Sequence, residues 1–297
     1  IVYIGANDGM YHAFDASTGV EKFAYIPSAV YGRLNNLTNS NLTHQYLVDG
    51  QSTIVDAFFD SAWHTVAVST LGAGGQGLFA LDVSSLGDFN TEANASAKVL
   101  WEFTDANDDD LGYTFGQASI VRLQNGKWAA VFSGGYNNNI DNDSDGITND
   151  STTGNATLYI VDIEDGSLIK KFNTEKGTAE DPSGNNRPNG LSTPSVIDVD
   201  GDSKVDYIFA GDLFGNVWKI DITGNSAGSW DFSYKAAGKP LPVFTACHGT
   251  SCSGSNIQPI TTQIQVARHP QSTGFLLYFG TGQYFEVGDN SSTGQTT

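Results

Sequence analysis

The chain has 297 residues, a length that one large all-β domain accommodates without division into two domains. Its 33 acidic and 14 basic side chains give a formal net charge of −19, which excludes a polyanionic partner such as nucleic acid. Its 34 glycines and low charged fraction of 16% favour many short strands joined by tight turns. We therefore predict an all-β protein.

The N-terminal residues 1–4 have the pattern of a strand and not that of a basic, then apolar, secretion signal. No apolar run reaches the roughly 20 residues that span a bilayer, so no membrane span is predicted. We expect residues 1–297 to form a single domain that belongs to a longer secreted protein.

A short unit recurs along the chain, in which an aromatic-rich strand ends in an aspartate and leads into a turn. The four copies end at Asp15, Asp82, Asp162 and Asp221. An aspartate in this position accepts backbone N–H groups, so we interpret all four as structural and not catalytic. The copies are further apart than the roughly 40–50 residues of a regular blade, which predicts an irregular β-propeller with insertions. A β-sandwich or barrel is the structural alternative.

Residues 105–110 form the first acidic run, Asp-Ala-Asn-Asp-Asp-Asp. The carboxylates lack the alternate spacing of a calcium loop, and no turn glycine stands in register. We interpret this run as a solvated loop.

Residues 141–150 form a candidate second metal site, with Gly146 at the sixth position, where calcium loops turn sharply. The loop lies in a polar excursion over residues 137–155, which has to become ordered when a cation binds. We therefore expect it to bind calcium more weakly than the next acidic loop. Its candidate ligands are Asp141, Asp143, Asp145, the carbonyl of Ile147, and Asn149 or Asp150.

The clearest pattern of a metal-binding loop in the sequence lies at residues 198–206, Asp-Val-Asp-Gly-Asp-Ser-Lys-Val-Asp. Carboxylates at positions 1, 3, 5 and 9 and a carbonyl at position 7 converge on one hard cation in EF-hand-like loops. One departure is Ser203 at the sixth position, where glycine is usual. The alternative is a solvated acidic turn. The predicted calcium ligands are Asp198, Asp200, Asp202, the carbonyl of Lys204, and Asp206.

The two cysteines, Cys247 and Cys252, lie in a stretch rich in glycine and serine. A redox or metal-binding pair is the alternative, but no second ligand pair lies nearby. We therefore predict a small loop disulfide, and with it an oxidising compartment.

The acidic loop and the segments around it resemble the PilY/PilC family of type IV pilus biogenesis factors. The stretch over residues 198–221 joins the acidic loop to Gly-Asp-Leu-Phe-Gly-Asn-Val-Trp-Lys-Ile-Asp. Similar agreement is found at residues 3–15, 111–117, 125–130 and 278–285. The resemblance therefore covers nearly the whole chain.

This resemblance implies a modified seven-bladed propeller with a nine-residue, EF-hand-like calcium loop. It also implies that the domain acts in pilus assembly and adhesion, and that calcium opposes pilus retraction and so controls twitching motility. The implied partners are pilins, minor pilins and host or surface receptors. The implied location is the bacterial surface, at the pilus tip, on the outer membrane or in secreted form.

Two other functions stay open at this stage. The turn at residues 15–19 is also similar to turns of quinoprotein dehydrogenase propellers, although a cofactor site on a propeller axis draws residues from several blades. A generic calcium-dependent glycan-binding module is the third reading. We expect a protein without enzymatic activity, and integrin binding is not carried over because the chain has no Arg-Gly-Asp tripeptide.

Overall fold

The computed structural model describes residues 1–41, 43–139, 150–285 and 289, and strands dominate its regular structure. Two short α-helices, α1 (Tyr31–Leu34) and α2 (Glu92–Ser96), lie in connections between strands. Among the described residues, no helix has the length and apolar character needed to cross a membrane. The predicted all-β class is confirmed.

The first three sheets are antiparallel, and each is formed by strands that follow one another in sequence. The first sheet contains β1 (Val2–Gly5), β2 (Tyr11–Phe14) and β3 (Glu21–Tyr25). The second contains β4 (Ser52–Phe59), β5 (Ala62–Thr70), β6 (Gly77–Asp82) and β7 (Val99–Thr104). The third contains β8 (Ser119–Arg122), β9 (Trp128–Ser133), β10 (Thr157–Asp162) and β11 (Leu168–Asn173).

The fourth sheet has the same order, with one additional strand. It contains β12 (Ser195–Ile197), β13 (Tyr207–Gly211), β14 (Asn216–Asp221) and β15 (Asp231–Phe232). A two-stranded ribbon follows, β16 (Lys235–Ala236) with β17 (Lys239–Pro240). Strand β18 (Phe244–Thr245) then pairs with β14, and β19 (Gln265–Arg268) pairs with β20 (Phe275–Tyr278).

The hydrophobic core lies between successive sheets. One cluster joins the first and second sheets around Tyr11 and Phe79, and the next joins the second and third around Phe103 and Tyr159. A third cluster joins the third and fourth sheets and includes Trp218. Strands β6 and β10 are buried at all six positions, as expected for strands that pack on both faces. This face-to-face stacking of small sheets is the arrangement of a propeller.

The first strands of neighbouring sheets meet side by side. The hydroxyl of Thr53 in β4 donates to the carbonyl of Ala118 at 2.6 Å, and Ala118 immediately precedes β8. The hydroxyl of Ser195 in β12 donates to the carbonyl of Ile264, next to β19. The backbone N–H of Gln117, before β8, also donates to the hydroxyl of Thr193, before β12. The connections between first and second strands therefore lie on one face of the molecule, in the order β4–β5, β8–β9 and β12–β13.

The aspartates that end the recurring strands all bind their own turns. Asp15, Asp82, Asp162 and Asp221 each accept the backbone N–H of the residue two positions later, at 3.0–3.1 Å. In the turn after Asp15, Gly19 has a φ of +71°, a left-handed conformation that glycine adopts without strain. The structural interpretation of these aspartates is confirmed.

The implied count of seven blades exceeds what the described residues contain. They form four sheets of three or more strands, followed by the β19–β20 pair. The long intervals between repeats contain segments such as α1 and α2. These insertions account for the irregular spacing of the repeating unit.

A disulfide joins Cys247 and Cys252, whose Sγ atoms are 2.01 Å apart. It encloses a short loop that follows β18. The backbone bridge between Cys247 and Ile257 ties this loop to the chain that continues after it.

We expect the double variant Cys247→Ser, Cys252→Ser to lose no more than about 2 kcal/mol of unfolding free energy, because closing so short a loop removes little entropy from the unfolded chain. Urea unfolding followed by tryptophan fluorescence measures the change. Thiol labelling of the denatured, non-reduced chain provides the control, and two reactive thiols per molecule would contradict the pairing.

Candidate metal centre

The acidic loop of residues 198–206 connects β12 to β13. The backbone N–H of Asp206 donates to the carbonyl of Ile197 at 2.8 Å, and the carbonyl of Asp206 accepts the N–H of Ile222 at 2.9 Å. Both ends of the loop are therefore attached to the paired strands of the fourth sheet. The loop is a short excursion on a packed sheet.

Three carboxylates of the loop converge. One oxygen each of Asp198, Asp200 and Asp206 lies within 4.8 Å of the others. Asp206 is buried, with 7% of its surface exposed, whereas the other two are exposed. Two unit charges at such distances repel by roughly 1 kcal/mol in water and about 4 kcal/mol at an effective dielectric constant of 20. A bound cation would reverse the sign of this interaction.

Backbone N–H groups orient these carboxylates. Asp198 accepts from the N–H of Gly201 at 2.7 Å and from that of Ser203 at 2.8 Å. Asp206 accepts from the N–H of Val199 at 2.8 Å. These hydrogen bonds fold the nine-residue loop back on itself. The side chains of its first and last residues, Asp198 and Asp206, therefore point to the same place.

Ser203 adopts the conformation that its position requires. Its φ is +66°, and that of Gly201 is +83°, so both residues are left-handed. A residue with a Cβ atom is strained in this region, and Ser203 accordingly carries a cost that glycine would avoid. The loop therefore keeps the left-handed turn that glycine usually forms at the sixth position, and Ser203 adopts it at a cost in backbone strain.

Asp202 does not join the three converging carboxylates in this structure. The Lys204 ammonium donates to Asp202 at 2.7 Å, and the Lys204 backbone N–H donates to the other oxygen at 2.8 Å. The hydrogen bond from the Lys204 ammonium lowers the pKa of Asp202 from its ordinary value. Asp202 would have to exchange this ammonium for a metal ion in order to act as a ligand.

Gln124, from the neighbouring third sheet, also holds the loop. Its Nε2 donates to the Oδ1 of Asp206 at 2.9 Å, and the N–H of Val205 donates to the carbonyl of Arg122 at 3.0 Å. Sequence reasoning missed Gln124. The Asn-Gly pair at residues 125–126 predicts a turn near Gln124. It does not predict a contact with a loop about 80 residues later in the chain.

Most of the candidate second loop falls outside the described residues. The candidate ligands that belong to the undescribed residues 140–149 are Asp141, Asp143, Asp145, Ile147 and Asn149. Asp150, which the structure describes, is exposed. The second calcium site remains a prediction from the sequence.

The prediction of a solvated loop at residues 105–110 is correct for Asn107 and Asp109, which are exposed, but wrong for the aspartates that pack inward. Asp105 is buried, with 2% of its surface exposed, and the Lys171 ammonium contacts Asp108 at 2.6 Å and Asp110 at 2.7 Å. The hydroxyl of Tyr159 also donates to Asp108 at 2.9 Å. Lys171, from β11, pairs with two aspartates of this run, and the local sequence does not show this partner.

The donor set of the 198–206 loop suits a hard cation. Its converging groups are carboxylate oxygens, without histidine or cysteine, and calcium is bound in proteins by six to eight oxygen atoms at about 2.3–2.6 Å. Three carboxylates together with carbonyl and water oxygens supply such a set. The residues present therefore fit calcium.

The amino-acid sequence matches the family model for the PilY1 beta-propeller domain over residues 1–297. A PilY1 homolog of Xylella fastidiosa, named a type IV pilus biogenesis factor, is 44% identical over all of this chain and 19% of its own length. The factor PilY1 of Pseudomonas aeruginosa is 41% identical over 97% of this chain and 24% of its own length. The chain thus spans about a fifth to a quarter of these relatives.

A solved structure agrees with this family match. The crystal structure of the Pseudomonas aeruginosa PilY1 C-terminal domain is 37% identical and superposes with a TM-score of 0.73. The match covers 97% of this chain and 53% of the crystallised chain. This agreement confirms the predicted β-propeller. The chain belongs to the PilY1 beta-propeller domain family.

Proposed function

We propose that this domain binds calcium at the 198–206 loop as part of a type IV pilus biogenesis factor. The observation that carries the proposal is the convergence of Asp198, Asp200 and Asp206 within 4.8 Å. The relatives named as type IV pilus biogenesis factors support the role in pilus assembly. The proposed ligands are these three carboxylates, with Asp202 and the carbonyl of Lys204 as further ligands.

Calcium binding would act locally. The loop is anchored to β12 and β13, and Gln124 holds Asp206 from the adjacent sheet, so the fold does not depend on the cation. Binding would remove the repulsion among the carboxylates and release Lys204 from Asp202. The change in charge and in the position of Lys204 is confined to one face of the propeller.

At the level of the cell, we propose that calcium occupancy of this loop sets the balance between pilus extension and retraction, and hence twitching motility. The proposed partners are pilins and minor pilins, together with host or surface receptors that the domain binds as an adhesin. The proposed location is the bacterial surface, at the pilus tip, on the outer membrane or in secreted form. The relatives named as pilus biogenesis factors support the association with pili.

We propose no enzymatic activity. A cavity of about 280 Å³ lies between the first strands of the second, third and fourth sheets, and its described lining is uncharged. An anionic quinone cofactor would need positive groups there, which disfavours the quinoprotein reading. A calcium-dependent glycan-binding module is the remaining alternative, and a glycan array with and without chelator addresses it.

The calcium proposal predicts a clear ranking of affinities in a calorimetric titration of the 297-residue chain. We expect a dissociation constant between about 1 μM and 1 mM for the native loop. Asp206→Ala removes the buried ligand that closes the loop and should weaken binding by more than about 100-fold. A weaker second event would be consistent with the loop at residues 141–150.

Asp202→Ala provides the matched control within the same loop. Because Asp202 first has to exchange its lysine partner, we expect its loss to weaken binding less than the loss of Asp206. Undiminished calcium affinity in Asp206→Ala would overturn the site. Circular dichroism of both variants checks that the fold is retained.

A further inference from the structure

Three aromatic side chains from two sheets form a cluster near the connection between β4 and β5. Phe58 and Trp63 lie opposite each other in the two strands, with ring centroids 5.5 Å apart. Trp128, the first residue of β9, has its ring centroid 6.0 Å from that of Trp63. We call Phe58, Trp63 and Trp128 the tryptophan patch.

The backbone holds this patch in place. Asp60 and Ser61, between the two strands, have φ values of +46° and +60°, as in the tight two-residue hairpin turns that match the twist of a sheet. The turn sets the register that places Phe58 against Trp63. The patch is therefore built on paired strands and needs no rearrangement to present its rings.

The patch is exposed to solvent. Trp63 is 64% exposed and Phe58 is 45% exposed, while Trp128 is partly buried. Large aromatic rings that remain together at a surface mark binding sites, and tryptophan is among the residues most enriched at the centres of interfaces. Single exposed aromatics are ordinary, but a cluster assembled from two sheets is not.

Carboxylates flank the patch. Asp56 and Asp60 lie on the β4–β5 hairpin, and both are exposed. The acidic turn after β10 touches the other side, because the N–H of Ile163 donates to the carbonyl of Trp128 at 3.1 Å. Glu164 belongs to that turn and is exposed. Among the described residues, no salt bridge neutralises Asp56, Asp60 or Glu164.

Two basic residues adjoin Trp128: Lys127, which precedes it in sequence, and Arg122, which lies opposite it in β8. The ammonium of Lys127, next to Trp128 in sequence, lies 2.5 Å from the carboxylate of Asp162. The β4–β5 turn also shares its face of the propeller with the acidic 198–206 loop, since both join the first two strands of a sheet. The face therefore combines exposed ring surfaces with an excess of negative charge.

We propose that the tryptophan patch is a docking site for a lysine- or arginine-bearing segment of a partner protein. A cationic side chain placed over Trp63 gains a cation–π interaction, worth most when water is excluded. The carboxylates of Asp56, Asp60 and Glu164 attract the same cation over longer range. Because the chain has a formal net charge of −19, a partner segment with positive charges is favoured over a neutral or acidic one. This site does not require calcium.

The probe is an uncharged-terminus peptide of nine residues with alternating arginine and glycine, titrated into the 297-residue chain near 0.15 M salt with chelator present. We expect binding that Trp63→Ala weakens at least about fivefold, as loss of a cation–π contact of about 1 kcal/mol implies. Trp63→Phe keeps a ring and should retain part of the affinity. A matched peptide with glutamate in place of arginine should not bind.

Tyr31→Ala is the control, since Tyr31 is 60% exposed and lies in α1, outside the patch. It should leave peptide affinity unchanged. Equal affinity in Trp63→Ala and the native chain would overturn the proposal, because binding would then rest on net charge alone. Binding of a neutral oligosaccharide, but not of the peptide, through Trp63 would overturn it in favour of a glycan site.

Discussion

Replacement of Asp212 by alanine is expected to lower the free energy of unfolding by about 3–5 kcal/mol. The Asp212 side chain has no exposed surface and lies in the turn between β13 and β14. One oxygen accepts the N–H groups of Phe214 and Asn216, at 2.9 and 2.8 Å. The other accepts the side-chain donors of Asn189, Asn216 and Trp218, each at 2.9 Å.

Alanine at this position would leave five donors without an acceptor in a dry environment, and each unsatisfied group costs about 1–3 kcal/mol before relaxation. Burial raises the pKa of Asp212, and the hydrogen bonds from Asn216, Asn189 and Trp218 oppose that shift. Asp212→Asn keeps the shape but turns an amide donor toward other donors, so it should also destabilise the fold. Urea unfolding followed by tryptophan fluorescence measures both variants.

Asp221→Ala is the matched control for this prediction. Asp221 also binds its own turn, through the N–H and hydroxyl of Thr223, but its side chain reaches solvent. We expect a loss of about 1 kcal/mol or less, as for other exposed turn and cap residues. A loss below about 1 kcal/mol in Asp212→Ala would show that the buried donors find other partners.

In a cell, Asp206→Ala and Asp206→Lys are expected to have opposite effects on pili. The Ala variant is expected to bind calcium more than about 100-fold more weakly, so the proposed block on retraction is lost and few surface pili remain. The Lys variant places an ammonium beside Asp198 and Asp200 and offsets their negative charge much as a cation would. It should keep surface pili but impair retraction, with reduced twitching.

The measurement uses the protein that carries this domain, expressed in a bacterium that lacks its own PilY1 relative. Sheared surface pilin and the diameter of the twitching zone report extension and retraction separately. Asp202→Ala serves as a control from the same loop with a smaller expected defect. Normal piliation in an Asp206→Ala strain whose protein no longer binds calcium would refute the regulatory role and leave the metal site intact.

The sequence by itself determined the local features of this protein. The strand-ending aspartates, with their turns, and the short cysteine loop each involve residues within a few positions of one another. The alternate carboxylates of residues 198–206 also predicted a convergence, which the structure shows for Asp198, Asp200 and Asp206. Such interactions are readable because backbone geometry over nine residues or fewer leaves few arrangements.

Only the tertiary structure decided which groups meet across sheets. Gln124 reaches Asp206, Lys171 neutralises Asp108, and Trp63 meets Trp128, although each pair is separated by more than 60 positions in the chain. The burial of Asp212 was also decided by the tertiary structure, because this turn residue accepts a hydrogen bond from Asn189, which lies outside the turn. Side chains on neighbouring blades become adjacent through the stacking of whole sheets. That stacking depends on the entire core, so no local pattern encodes these partners.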